Sequence, residues 1–303
     1  MERPRINILN GVQTSTWKKD LSFLQQIQRS ETKRWQDEVK IEAQTTSIPY
    51  FLFCPLSDIH IGASGTDYKQ LDNYVRLIRD YGVQTALIGD LGDFFMPAKI
   101  PEGMLEQTIS PQKQAQIIKD FLMEIKDGIL AIVSGNHDDR FFKATGFDIY
   151  SFLTSDLKIP LLNAGGILNI QVNKIPYKIR LFHKIARLNS QFNYTHAGKQ
   201  ALRLGGIEDL DMVVSGDRHL GAVETTTFGD KQVVVAQLGT FKVRDNYASR
   251  SGFVQKAQVF FPVFALDGRK RNIEYFTNPE NAIEFYETME QGIKLASVGM
   301  LKL

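Results

Sequence analysis

Five short stretches of this chain place carboxylate, amide and imidazole groups directly behind apolar runs. They are Asp58-Ile59-His60, Gly89-Asp90-Leu91-Gly92-Asp93, Gly135-Asn136-His137-Asp138, His183, and Gly216-Asp217-Arg218-His219. Four of the five histidines fall in them. Oxygen and neutral imidazole together, with no thiolate required, are the donors that hard or borderline divalent cations accept. Two such cations about 3.5–4 Å apart need a ligand that touches both, which a two-oxygen carboxylate provides more readily than an imidazole, and Asp90 is the candidate. Taken singly, an Asp behind a strand is a turn former and a lone His a satisfied core group. It is their ordered set that points to chemistry.

The elements that must position these loops can be read from periodicity. After Pro49 short apolar runs alternate with amphipathic segments, an α/β pattern: strands at 50–56, 85–88 and 129–133, helices at 67–81 and 112–126. In such folds functional groups collect beyond the carboxyl ends of strands, where these loops lie. Two hairpins follow, 167–172 with 177–182 about Asn173-Lys174, and 223–228 with 232–236 about Gly229-Asp230; a last pair, 257–265 with 271–276, turns at Asp267-Gly268. Upstream, Leu21, Leu24, Ile27, Trp35 and Val39 lie among mixed charges behind Ser15 and Thr16. They predict a helical extension over residues 1–47, packing on its own domain or on another subunit, with a single domain over 48–303.

The order of motifs resembles the calcineurin-like metallophosphoesterase superfamily, whose pattern is DxH, GDxxD, GNHD or GNHE, a lone His, and GHxH. The likeness covers about residues 50–238, and its first three motifs are complete. It implies a four-layer αββα sandwich, two mixed sheets flanked by helices. It further implies that Asp58, His60 and His219 hold one metal, that Asp90 bridges, that Asn136 and His183 hold the second, and that His137 sits beside the scissile bond, oriented by Asp138. A water or hydroxide between the ions would be the nucleophile. Two departures stand out: Asp217 occupies the place of a metal-binding His, and His183 is flanked by Phe182 and Lys184 without the usual glycine. Asp217 either ligates through oxygen, making the second site harder and favouring Mn²⁺ or Mg²⁺ over Zn²⁺, with Fe and Ni²⁺ left open, or leaves that site weakened. Asp93 either supports a ligand or caps a helix.

Substrate contacts are expected from Arg218, between two proposed ligands, and from His196, Arg187 and Arg203. Each has a plainer use as a surface or ion-pairing group. From Leu157 through Ile207 there is no Asp or Glu, yet eight Lys and Arg residues occur, a block that would attract an anionic substrate if its side chains share a face. A phosphodiester, nucleic acid first among them, is the expected substrate; nucleotides, small diesters and phosphoproteins remain open. A net charge of +2 by itself declares neither a nucleic-acid nor a membrane partner. No run is apolar enough to span a bilayer and the start lacks a secretory core, which predicts a cytoplasmic protein. The one cysteine, Cys54, lies in an apolar run and reads as a packed thiol. A different class of function, a scaffold using the same fold to bind partners, is also consistent with the Asp217 departure.

Overall fold

A computed structural model of the chain describes residues 20–26, 28, 35–45, 48–94, 106–154, 156–184, 193–204, 209–244 and 257–297. The strands are β1 (Trp35–Ala43), β2 (Tyr50–Phe53), β3 (Leu56–Ser57), β4 (Thr85–Ile88), β5 (Ile129–Val133), β6 (Leu161–Val172), β7 (Ile175–Phe182), β8 (Met212–Ser215), β9 (Ala222–Phe228), β10 (Lys231–Gln237), β11 (Val263–Asp267) and β12 (Ile273–Phe276). The helices are α1 (Tyr68–Tyr81), α2 (Pro111–Ile125), α3 (Asn136–Thr145), α4 (Ile149–Thr154), α5 (His196–Leu204) and α6 (Pro279–Ser297). A mixed nine-stranded sheet runs β3-β4-β5-β6-β7-β8-β10-β9 with β1 also on β6, and a three-stranded sheet runs β12-β11-β2.

The large sheet divides at β6. Leu161 and Leu162, at its start, pair with β5, whereas residues 165–172 pair with β7. The expected two sheet halves are therefore joined through one long strand, and the fold is mixed α/β. Alternation along the second half explains its layering. Ile179, Leu181, Met212, Val214, Val234 and Ala236 face the main core. Phe182, Val213, Val233 and Val235 face the other way, onto Ala197, Ala201 and Leu202 of α5. Period-2 strands buried on both faces require a cover on each, and α5 supplies one of them.

Local chemistry sets the element ends. Asp67 caps α1 by accepting from Gln70 N–H at 3.0 Å, and Gly82 closes that helix in the left-handed region at φ 66°. Ser110 caps α2, with Pro111 in the first turn, where a missing N–H does no harm. The run expected as one strand over 50–56 is two: Cys54-Pro55 interrupts it, so β2 joins the small sheet and β3 the large one. Proline has no N–H to give a ladder, which is why the break falls there. Cys54 is fully buried against the Phe261 carbonyl at 3.6 Å, and burial pushes its thiol up, as a packed thiol requires.

The helical extension is corrected over its second part. Residues 20–26 are helical, but Trp35–Ala43 form β1, paired in parallel with β6 from Trp35↔Leu161 to Ala43↔Val172. Val39, Ile41 and Ala43 alternate with Lys40 and Glu42, a strand period that overrides the i, i+4 spacing of Trp35 and Val39. Among the described residues no helix is long and apolar enough to cross a membrane.

Candidate metal centre

Each ligand loop leaves a strand end in the same region of the large sheet, and the turns are sharp. Asp58 and His60 both adopt φ 51°, Asp90 φ 32°, Asp217 φ 69° and His219 φ 58°. Non-glycine residues pay a conformational penalty there and hold such angles only where the surroundings enforce them, commonly at functional sites. The enforcement is main-chain hydrogen bonding between loops. His60 N–H donates to Asp90 O at 3.0 Å, Ile61 N–H to Leu91 O at 3.0 Å, and Asp93 N–H back to Ile61 O at 3.1 Å. Phe241 N–H and the Thr240 hydroxyl both donate to the Asp58 carbonyl, at 3.1 and 2.8 Å. Close approach needs glycine at two points: a Cβ on Gly89 would lie 2.0 Å from His183 Nδ1, and one on Gly135 would lie 2.0 Å from Asp90 N.

The donors converge in three overlapping groups whose ligand atoms lie within 4.8 Å of one another: Asp58, His60 and His219; Asp58, Asp90 and His183; and His60, Asp90 and His137. His219 Nε2 is 3.2 Å from Asp58 Oδ1 and from His60 Nε2, and His183 Nε2 is 3.3 Å from Asp90 Oδ2. Asp90 thus spans the groups containing His60 and His183. Three imidazoles are anchored at Nδ1, which turns Nε2 inward: His60 on Asp93 Oδ1 at 3.1 Å, His183 on the Ile88 carbonyl at 3.2 Å, and His137 on the Asp93 carbonyl at 2.7 Å. This is the arrangement that fixes metal-binding histidines.

Asp58 Oδ1 and His183 Nε2 are buried without a hydrogen-bond partner, 4.0 Å apart, a costly condition that a cation would relieve. Electrostatics agree. Burial alone would lower His183, but the Asp90 and Asp58 carboxylates outweigh it and raise it to about 10. Burial would raise Asp58, yet His183 and His219 hold it at about 2, and Asp90 is held well below the usual carboxylate range by His137 and His183 against the same burial. The place between these groups stabilises positive charge. Burial lowers His60, leaving the neutral imidazole that ligation uses.

Asp217 faces this centre from the second side. Its Oδ1 is 4.0 Å from His183 Nε2 and 2.8 Å from Lys184 Nζ, and its N–H donates to Asp58 Oδ2 at 3.0 Å. With its amide nitrogen toward Asp217, Asn136 donates to the same oxygen at 2.8 Å while its own oxygen accepts from Arg140 at 3.0 Å. Turned the other way, the amide would bring its oxygen beside that carboxylate, where a cation holds two acceptors together. The Asp and His clusters could therefore hold divalent cations.

Other expected residues divide. Asp138 does not orient His137: one carboxyl oxygen accepts from the Tyr150 hydroxyl at 2.5 Å and the other has no hydrogen-bond partner. The reason is that α3 begins at Asn136, so successive side chains fan around the helix, and Asp138 turns to the buried side. Asp93 is the residue that seats His137, through its carbonyl, and it also orients His60. Arg218 lines a small cavity with His183, Lys184, Asp217 and Ala197 of α5, and His196 precedes Ala197. Arg203 is exposed about 10 Å along α5 from His196, at 1.5 Å per residue. Arg187 lies outside the described residues. Of the basic block, Lys199 pairs with Glu224 and Lys184 with Asp217. Two residues escaped the sequence reading: buried Lys242 lies 3.3 Å from Asp93 Oδ1 and 2.9 Å from Glu106 Oε2, extending the support behind His60.

No family model and no curated protein matches this chain. Solved structures do. A metallophosphoesterase from Sphaerobacter thermophilus matches at 13% identity over 74% of this chain and 88% of that one, with a TM-score of 0.37. GAP50, the anchor in the inner membrane complex of Plasmodium, matches at 11% over 79% and 95%, with 0.39. The sulfate thiohydrolase SoxB of Thermus thermophilus matches at 12% over 87% and 61%, with 0.35.

Proposed function

We propose that this protein is a dinuclear metal-dependent phosphoesterase acting on phosphodiesters. The observation that carries the reading is the convergence of buried donor atoms: Asp58 Oδ1 and His183 Nε2 lie 4.0 Å apart without a hydrogen bond, with His219 Nε2 3.2 Å from the first and Asp90 Oδ2 3.3 Å from the second. Asp58, His60 and His219 would hold one cation, Asn136, His183 and Asp217 the other, and Asp90 both. When bound, two divalent cations neutralise phosphoryl oxygens and make water nucleophilic near neutral pH. Asp217 adds a carboxylate where imidazole is usual, which suits Mn²⁺ or Mg²⁺ better than Zn²⁺.

The remaining chemistry belongs to the chain. His137 keeps Nδ1 on the Asp93 carbonyl and Nε2 3.9 Å from Asp90 Oδ2, with its side chain partly open to solvent. Nε2 would protonate the leaving ester oxygen or hold a phosphoryl oxygen. Arg218 at the rim would contact the phosphate, its planar guanidinium matching two oxygens. A nucleic-acid diester is the substrate we favour, from the acid-free basic block over residues 157–207 of the sequence, and its binding should weaken steeply with salt as counterions are released.

The test is hydrolysis of a model phosphodiester and a model monoester by the purified protein with Mn²⁺, then with chelator. Chelator-sensitive turnover, faster on the diester, is expected. Silence with Mn²⁺, Mg²⁺, Zn²⁺, Fe and Ni²⁺ would overturn the enzyme reading in favour of a scaffold.

A further inference from the structure

Lys184 follows ligand candidate His183 directly in the chain, and its Nζ lies 2.8 Å from Asp217 Oδ1. The same oxygen faces His183 Nε2 at 4.0 Å and, with the Asn136 amide nitrogen turned toward it, receives that amide at 2.8 Å. A carboxylate oxygen offers two lone pairs, and two N–H donors use both. Asp217 therefore cannot ligate through this oxygen while both donors remain. The amide can turn its oxygen inward, but the ammonium carries a positive charge and has no acceptor to offer. Its backbone is tied to that of His183, so even when it swings out it stays near the cation.

We propose that Lys184 is a tethered competitor for the second cation position: its ammonium holds Asp217 Oδ1, so a second divalent ion must compete with it for that oxygen and the two positions load with unequal affinity. This rests on the two-cation reading above and adds a regulatory feature to it. The chain carries a carboxylate at 217 in place of an imidazole together with a lysine that neutralises it. The carboxylate alone would strengthen attraction for a second ion, and the lysine offsets part of that gain. The lysine side chain is 46% exposed, so water screens part of the effect.

The test is calorimetric titration of chelator-stripped, full-length protein with Mn²⁺, with bound metal counted independently. The parent should take one equivalent tightly and a second weakly. In Lys184→Met the second equivalent should tighten about fivefold, the upper range for a partly exposed ion pair, with the first unchanged. Where the parent binds one equivalent, the variant should gain a second. Lys184→Arg, which keeps the charge, should titrate like the parent. A Lys184→Met protein whose second equivalent is unchanged or weaker overturns the role of Lys184 while leaving the two-cation reading standing. Failure of both proteins to bind Mn²⁺ overturns both.

Discussion

His137 is anchored through Nδ1 on the Asp93 carbonyl, with Nε2 3.9 Å from Asp90 Oδ2, and under the proposed function it handles a proton or a phosphate. His137→Asn should retain its bound metal and lose about 10²–10⁴-fold in kcat, the usual worth of general acid catalysis. Metal counting beside a kinetic assay checks both halves, and a variant as fast as the parent would remove His137 from the reaction. Asp138 makes a different demand. Burial raises its carboxyl to about 7, with Asp90 adding to the effect. An acid raised in the folded state destabilises it wherever the group is ionised in the unfolded chain, so stability declines as pH rises from about 4 and levels off above about 7. In chelator, Asp138→Asn should lack that decline, and denaturant melts of parent and variant should diverge across this window; parallel curves would contradict the assignment. At this scale most candidate ligands stood out in the sequence because they sit beside a glycine or close to another candidate in a short motif, whereas His183 stands alone between Phe182 and Lys184. Lys242 and Glu106 were not, because they meet across the fold from loops without periodicity.

Among the elements, an exacting junction at the site is where β5 enters α3. A side chain at Gly135 would run into Asp90 N at 2.0 Å and Asp90 Oδ1 at 2.2 Å, both fixed by neighbouring backbone. Gly135→Ala should therefore abolish metal binding and destabilise by about 3 kcal/mol or more, the upper range for overpacking, as read by metal counting and denaturant melts. A change neutral in both would mean that the loop yields easily. The strands β4 and β5 could be read from sequence to the residue because unbroken apolar runs ended at glycine or serine. By contrast β1 was read as helix, since only Val39, Ile41 and Ala43 carry its period and β6, far along the chain, completes its pairing. Val39 is buried, so Val39→Asp should cost about 3 kcal/mol through an unpaired charge, whereas a detachable extension would tolerate it.

For the whole molecule, the charge concentrated between β3, β4, β5 and β7 means that cation binding there would contribute to folding stability. Mn²⁺ at 100 times its dissociation constant would add about 2.7 kcal/mol, raising Tm by ~5 °C for a chain of this length. Thermal melts with and without chelator measure this. An unmoved Tm would mean that the anionic cluster is balanced internally. The layering was expected from the resemblance in motif order rather than from strand patterns, and the path by which β6 links the two halves was not legible, because pairing partners are chosen by tertiary packing.

The loops bearing Asp58, His60 and Asp90 are laced by backbone bonds that continue the β3–β4 pairing past the strand ends, down to the bridge between Ile61 and Gly92. A frame made of peptide groups does not slacken when its contents are removed. Stripped protein should thus refill without refolding, at a speed set by diffusion and by shedding of water from the incoming ion, and repeated cycles of emptying and reloading should leave its capacity undiminished.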